Sequence, residues 1–186
     1  MSLETISFRH TRLIEMKEVL LPQEWPGIHY LGEEEVEAAS RVIKDQSPFR
    51  YYGPALRGET LRFEEEFAKF INVKYCLAVA SGTTALQVAL IALNVGVGDE
   101  VIIPGYLWVS TVGAVVRTGA IPVLADVDDS FSIDPEDLKR KISERTKAVI
   151  LVHMGGVMGK VEEIRHICQS HKIPLMEDCA QAAGVT

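Results

Sequence analysis

Cysteine is scarce: the 186 residues hold three, Cys76, Cys168 and Cys179, an odd number with no C-x-x-C pair. That excludes a disulfide scaffold, and no ligand spacing for a metal is visible. Reduced thiols in a cytoplasmic protein are expected. Basic charge is scarce too. Lys and Arg number 19 against 26 Asp and Glu, a formal net charge of −7. No basic patch exists to neutralise phosphates, so nucleic acid is not an expected partner. Met1 to Leu20 is polar and charged, without the apolar core of a secretory signal. The longest stretch free of charge, Tyr75 to Gly98, is broken by Ser81-Gly82-Thr83-Thr84 and Gln87. A span needs about 20 mostly apolar residues, so a buried strand, tight loop and buried helix are expected there instead, and no membrane partner. Internal repeats and low-complexity tracts are also lacking.

What is present is a globular mix, 47% hydrophobic and 24% charged. Residues 1–30 read as irregular, with Pro22 and Pro26. Glu33 to Ile43 reads as a helix with Val36, Ala39, Val42 and Ile43 on one face, and Ser47 to Gly58 as a loop. Glu59 to Ile71 reads as an amphipathic helix. Its apolar side carries Leu61, Phe63, Phe67 and Phe70-Ile71; Glu64, Glu65, Glu66 and Lys69 fall largely opposite. From there strand and helix alternate. Strands are expected at Tyr75–Ala80, Val101–Pro104, Pro122–Val127, Ala148–His153 and Ile173–Asp178. Helices are expected at Thr83–Leu93, Val109–Thr118 (ended by Gly119), from Asp134 as N-cap with Pro135 in the first turn, and at Val161–His171. Continuous apolar strands in βαβ alternation predict an α/β fold, a largely parallel sheet with helices on both faces.

Open parallel sheets bind ligands beyond the carboxyl ends of their strands. Just past those ends lie Ser81-Gly82-Thr83-Thr84, Gly105-Tyr106-Leu107-Trp108, Asp126, His153 and Asp178. Ser81 to Thr84 offers a tight turn into the positive start of a helix, with free amides and hydroxyls for a phosphate; a plain helix N-cap is the competing reading. The segment fits neither G-x-x-x-x-G-K-[ST] nor G-x-G-x-x-G, so a nucleotide is not the first expectation. Trp108 could stack on a flat ring or serve as core or interface. Asp178 could hold a proton on a ring nitrogen, bind a metal or a ribose, or cap a helix. His153 reads as hydrogen-bonded structure before catalysis, Asp126 as a solvated turn, and Cys179 as a small buried filler before a reactive thiol. A phosphate clamp, a stacking ring and a carboxylate for a pyridinium together are what pyridoxal phosphate requires.

Four stretches then resemble one family: Ser81-Gly82-Thr83-Thr84-Ala85-Leu86, Gly98-Asp99-Glu100-Val101-Ile102-Ile103-Pro104, Gly119-Ala120-Ile121-Pro122-Val123, and Glu177-Asp178-Cys179-Ala180-Gln181-Ala182-Ala183-Gly184. They match the DegT/DnrJ/EryC1/StrS sugar aminotransferases, of fold type I among pyridoxal phosphate enzymes, in order from about Leu31 to Gly184. Phe63 to Ala68 and Arg145 to Ala148 also fit. The resemblance implies a three-layer αβα large domain over residues 31–186, incomplete at its C-terminus and without the family's small C-terminal domain. It implies Gly82, Thr83 and Thr84 as the phosphate clamp, Trp108 as the stacking ring, Asp178 as partner of the ring nitrogen and Gln181 near the ring hydroxyl. It gives His153 no role.

The family's Schiff-base lysine lies a few tens of residues beyond the Glu-Asp-x-Ala-Gln motif. All nine lysines here precede Asp178, the last being Lys172, and the chain ends at Thr186. No catalytic residue is therefore expected within these 186 residues, and the Schiff-base lysine is expected beyond Thr186. The implied activity of the intact enzyme moves an amino group from glutamate or glutamine to a keto-sugar or keto-polyol. Phe49-Arg50-Tyr51 and Leu151-Val152-His153-Met154 resemble the branch acting on an octulosonate-type sugar acid. Alternatives are a sugar 3-dehydratase of the same family, with histidine for the lysine, and a non-catalytic cofactor-binding module. A homodimer with the site at the subunit interface is the family's usual assembly.

Overall fold

The computed structural model describes residues 31–53 and 56–185. The expectations for residues 1–30, for Pro54 and for Thr186, with the lysine expected beyond it, lie outside these. The chain divides into two compact units, residues 1–58 and 59–186.

In the first unit α1 spans Glu33–Lys44. The carboxylate of Glu35 accepts the Gly32 N–H (2.7 Å) at its start, and Arg57 pairs with Asp45 at its end. The expected apolar face forms, but no residue of the helix is buried. Phe49 and Tyr52 stack at 4.4 Å in the loop that follows.

The second unit is built on four parallel strands, β1 (Glu100–Pro104), β2 (Ile121–Ala125), β3 (Thr146–Val152) and β4 (Leu175–Asp178), in the order β2-β1-β3-β4. Successive side chains of a strand point to opposite faces. Val101, Ile103, Ala148, Ile150 and Val152 therefore pack on one side, with Leu90, Ala114 and Val115. Ile102, Val149 and Leu151 pack on the other, with Leu138, Ile164 and Ile167. The first layer comprises α3 (Gly82–Ala92) and α4 (Val109–Arg117), the second α5 (Pro135–Lys141) and α6 (Val161–Ser170). This is the expected three-layer αβα arrangement. Local signals act as read: Asp134 Oδ1 accepts the Glu136 N–H at 2.9 Å to cap α5, and Gly119 (φ +84°) stops α4.

Two expectations need correction. Tyr75 to Ala80 forms no strand. A strand exists only where a neighbour takes its hydrogen bonds. No strand among the described residues pairs with this segment, and the Ala78 N–H donates to Glu64 Oε1 at 2.6 Å. The second correction concerns α2 (Glu59–Phe70). Glu64 is buried, because it faces that amide, while Leu61, Phe63 and Phe70 are exposed. No described helix is long and apolar enough to cross a membrane.

Candidate functional site

Parallel strands put all four carboxyl ends on one edge. There a cleft of about 600 Å³ opens between the start of α3, the start of α4 and the end of β4. Gly82, Thr83, Trp108, Asp178 and Gln181 all line it.

The first amides of a helix have no partner within it, and its dipole is positive there. Those of Gly82 and Thr83 occupy this position at the cleft wall. A Cβ built on Gly82 would meet nothing within 4 Å, so that approach is open. Thr84 behaves otherwise. Its N–H donates to Ser81 Oγ (3.1 Å) and its hydroxyl shares a hydrogen bond with the same oxygen (2.9 Å). Thr84 is not among the lining residues. Ser81 thus caps the helix through Thr84, while Gly82 and Thr83 line the cleft.

Trp108 is the N-cap residue of α4 and is 69% exposed. That is a large apolar surface left uncovered at a cleft wall. Asp178 ends β4, half-buried. Its Oδ2 accepts from Thr111 Oγ1 at 3.1 Å and its Oδ1 from the Ala180 N–H at 3.2 Å. Gln181 Oε1 accepts the Gly155 N–H at 2.6 Å. Since that donor needs an oxygen, the bond fixes which way the amide faces and leaves the NH2 as its free end.

His153 does not reach the cleft. It is fully buried, its N–H donates to the Asp178 carbonyl (3.2 Å), and Nε2 lies 2.8 Å from Glu177 Oε2. Asp126 is exposed, and its N–H donates to Asp137 Oδ2 at 2.7 Å, which is structural. Cys179 is not the buried filler expected: it is exposed on the cleft wall. Desolvation there, then the carboxylates of Glu177 and Asp178, push its thiol up from the ordinary value. His153, Glu177 and Cys179 place ligand atoms within 4.8 Å of one another. The 2.8 Å between His153 and Glu177 suits a hydrogen bond; two ligands on one zinc stand roughly 3.3 Å apart. A raised thiol pKa also disfavours the thiolate a metal needs.

Sequence reasoning missed Thr111 and Glu177. Thr111 was findable, since it lies three residues after Trp108 and shares its helix face. Glu177 stands in the Glu177–Gly184 motif, but strand alternation turns its side chain away from Asp178, and only the fold brings it to His153.

The profile of the DegT/DnrJ/EryC1/StrS aminotransferase family matches residues 30–186. GDP-perosamine synthase of Vibrio cholerae is 44% identical over 124 residues, 66% of this chain and 34% of that protein. L-glutamine:2-deoxy-scyllo-inosose aminotransferase of Streptomyces fradiae is 43% identical over 126 residues, 67% of this chain and 30% of that protein. Among solved structures, an aminotransferase from Psychrobacter cryohalolentis superposes with a TM-score of 0.78 at 36% identity, covering 84% of this chain and 39% of that one. NtdA of Bacillus subtilis, solved with bound cofactor PMP, gives 0.76 at 30% identity, covering 84% and 36%. The chain spans about a third of the length of the curated relatives it matches.

Proposed function

The chain belongs to the DegT/DnrJ/EryC1/StrS aminotransferase family and has the fold type I architecture, and from that premise we propose that it is the pyridoxal-phosphate-binding part of an aminotransferase. Residues 31–186 then form the part of the large domain that holds the cofactor's phosphate and ring, and none of the nine lysines takes the Schiff-base place that the resemblance implies. The intact protein moves an amino group from glutamate or glutamine to a keto-sugar or related cyclitol ketone. An octulosonate-type sugar acid is the narrower candidate acceptor. A cytoplasmic homodimer completes the reading.

One observation carries it: a carboxylate, Asp178, stands in a cleft bounded by an open helix N-terminus and by the exposed face of Trp108. An anion at the start of α3, a flat apolar ring and a cationic nitrogen are the three features such a cleft suits. Pyridoxal phosphate carries all three, so the residues fit the group. When bound, the cofactor supplies a ring that accepts the electron pair left behind as a substrate carbon loses its proton.

The chain's own residues would divide the work. Gly82 and Thr83 would bind the phosphate through backbone amides, with the Thr83 hydroxyl as an added donor. Trp108 would cover one face of the ring and exclude water from it. Asp178 would keep a proton on the ring nitrogen, as an ionised carboxylate beside a cation. Gln181, its amide fixed by Gly155, would present its NH2 group to the ring hydroxyl.

Titration of the purified 186-residue chain with pyridoxal phosphate tests this, read by absorbance and by quenching of Trp fluorescence. Saturable binding is expected, weakened at least tenfold in Asp178→Ala. No saturable binding, or Asp178→Ala binding as the wild type does, would overturn it.

A further inference from the structure

Resting on the reading of Asp178 as the partner of a ring nitrogen, we propose that Thr111 is a positioning residue that fixes the Asp178 carboxylate relative to the stacking ring of Trp108. Thr111 is 1% exposed, in the first turn of α4. Its Oγ1 donates to Asp178 Oδ2 at 3.1 Å, across 67 residues of sequence. Its N–H donates to the Trp108 carbonyl at 3.0 Å. One residue is thus bonded to the residue that supplies the ring and to the one that supplies the carboxylate.

The torsion that turns a carboxylate about its own bond is broad and weakly held. Asp178 has two restraints on that rotation, and they come from different places. The Ala180 N–H on Oδ1 belongs to the turn that follows β4 itself. The Thr111 hydroxyl on Oδ2 comes from the opposite wall, from a helix. Without Thr111 the carboxylate plane would follow whatever the turn after β4 does. With it, the plane is tied to the same helical turn that begins at Trp108. An ionised carboxylate only accepts hydrogen bonds, so the hydroxyl commits its proton to Oδ2, and the carboxylate so held lines the cleft.

A helix-side threonine has nearer partners. A helix hydroxyl can satisfy itself on a backbone carbonyl within its own helix, as Ser170 Oγ does on the Ile167 carbonyl at 2.8 Å. Thr111 instead gives its hydroxyl to a charged group in another element. Hydrogen bonds to charged groups are the stronger class, and removing one partner leaves the other short of a donor. Thr111 therefore supports the ring-nitrogen contact without touching the ring.

The test is a mutant cycle read by ligand binding. The chain is prepared as wild type, Thr111→Val, Thr111→Ser, Thr111→Ala, Asp178→Ala and the double variant T111V/D178A. Each is titrated with pyridoxal phosphate, and with an analogue whose ring nitrogen is replaced by carbon; melting temperatures are recorded alongside. Thr111→Val is expected to weaken pyridoxal phosphate about tenfold. Thr111→Ser should stay within about threefold of wild type, because it keeps the hydroxyl. In the Asp178→Ala background Thr111→Val should add nothing further, since the two residues act as one unit. The carbon analogue should bind wild type and Thr111→Val alike. Should Thr111→Val lower the melting temperature, Thr111→Ser against Thr111→Ala isolates the one oxygen atom in question. Wild-type affinity in Thr111→Val or Thr111→Ala, an equal loss in the Asp178→Ala background, or an equal loss for the carbon analogue would overturn the inference while leaving the proposed function standing. A wild-type chain that binds no pyridoxal phosphate would overturn both.

Discussion

His153 Nε2 lies 2.8 Å from Glu177 Oε2, joining the residue after β3 to a residue of β4 just before its end. The imidazole is fully buried, and the His153 N–H continues the ladder to the Asp178 carbonyl at 3.2 Å. Side chain and backbone thus stitch the same two strand ends together. Replacing His153 by Ala removes the ring, opens a cavity and strips Glu177 of its partner. A loss of about 2–4 kcal/mol is expected. Urea unfolding of wild type and His153→Ala measures it, and an unchanged midpoint would refute the structural role.

Trp108 makes the opposite prediction. A residue 69% exposed contributes little to folding. Trp108→Ala should shift stability by no more than about 0.5 kcal/mol, yet weaken pyridoxal phosphate binding roughly tenfold, while Trp108→Phe stays within about threefold. A thermal melt and a binding titration on the same samples separate the two effects.

Asp137 gives a pH dependence. Its Oδ2 accepts the Asp126 N–H at 2.7 Å and its Oδ1 accepts from Arg140 at 2.8 Å. The Asp126 amide is the largest influence and lowers the carboxyl pKa; burial opposes it, and Arg140 lowers it further. A carboxyl whose pKa is lower folded than unfolded adds stability above the ordinary carboxyl range and loses it as pH falls towards the folded value. Asp137→Asn should therefore be less stable at pH 7 by about 1–2 kcal/mol. The gap should close as the pH drops below about 4. Melts at neutral and acid pH check this; a gap that widens on acidification would refute it.

Gly119 ends α4 with φ +84°, and a Cβ built there would stand 2.7 Å from Val97 Cγ2. The left-handed backbone costs a side-chain-bearing residue about 1–2 kcal/mol, and Val97 must also move. Gly119→Ala should unfold at lower denaturant by at least that amount. An Ala variant as stable as wild type would show that the turn accepts a side chain.

The cysteines should separate by alkylation. Burial pushes the Cys168 thiol up to about 11, and the residue is 1% exposed. It should stay unmodified at pH 8 until the chain is denatured. Cys179, exposed but with a raised thiol pKa, should react slowly, and more slowly still with pyridoxal phosphate present, since it lines the same cleft. Peptide mass spectrometry after timed alkylation distinguishes the three sites.

Much of this protein is local chemistry, and that part was readable from the chain. Apolar runs punctuated by Asp134-Pro135 and by Gly119 fix element type because capping and positive φ depend on a few neighbouring atoms. Parallel strands followed by helices dictate that Trp108 and Asp178 reach one edge, whatever the details of packing, whereas Gly82 follows no strand and comes to that edge at the start of α3. Other features depend on partners far along the chain. Tyr75 to Ala80 has a strand's composition, yet pairing belongs to two segments and composition to one. Glu64 lies on the helix face that reads as polar, yet it is buried and accepts the Ala78 N–H, 14 residues away. Whether Thr84 faces a ligand or a cap depends on where Ser81 Oγ points. Periodicity and chain direction are enough to set the layers and the edge where a site forms. That Thr111 meets Asp178 and that His153 meets Glu177 emerges only once the chain has folded, because a hydrogen bond needs two atoms within about 3 Å and no spacing in one dimension encodes that.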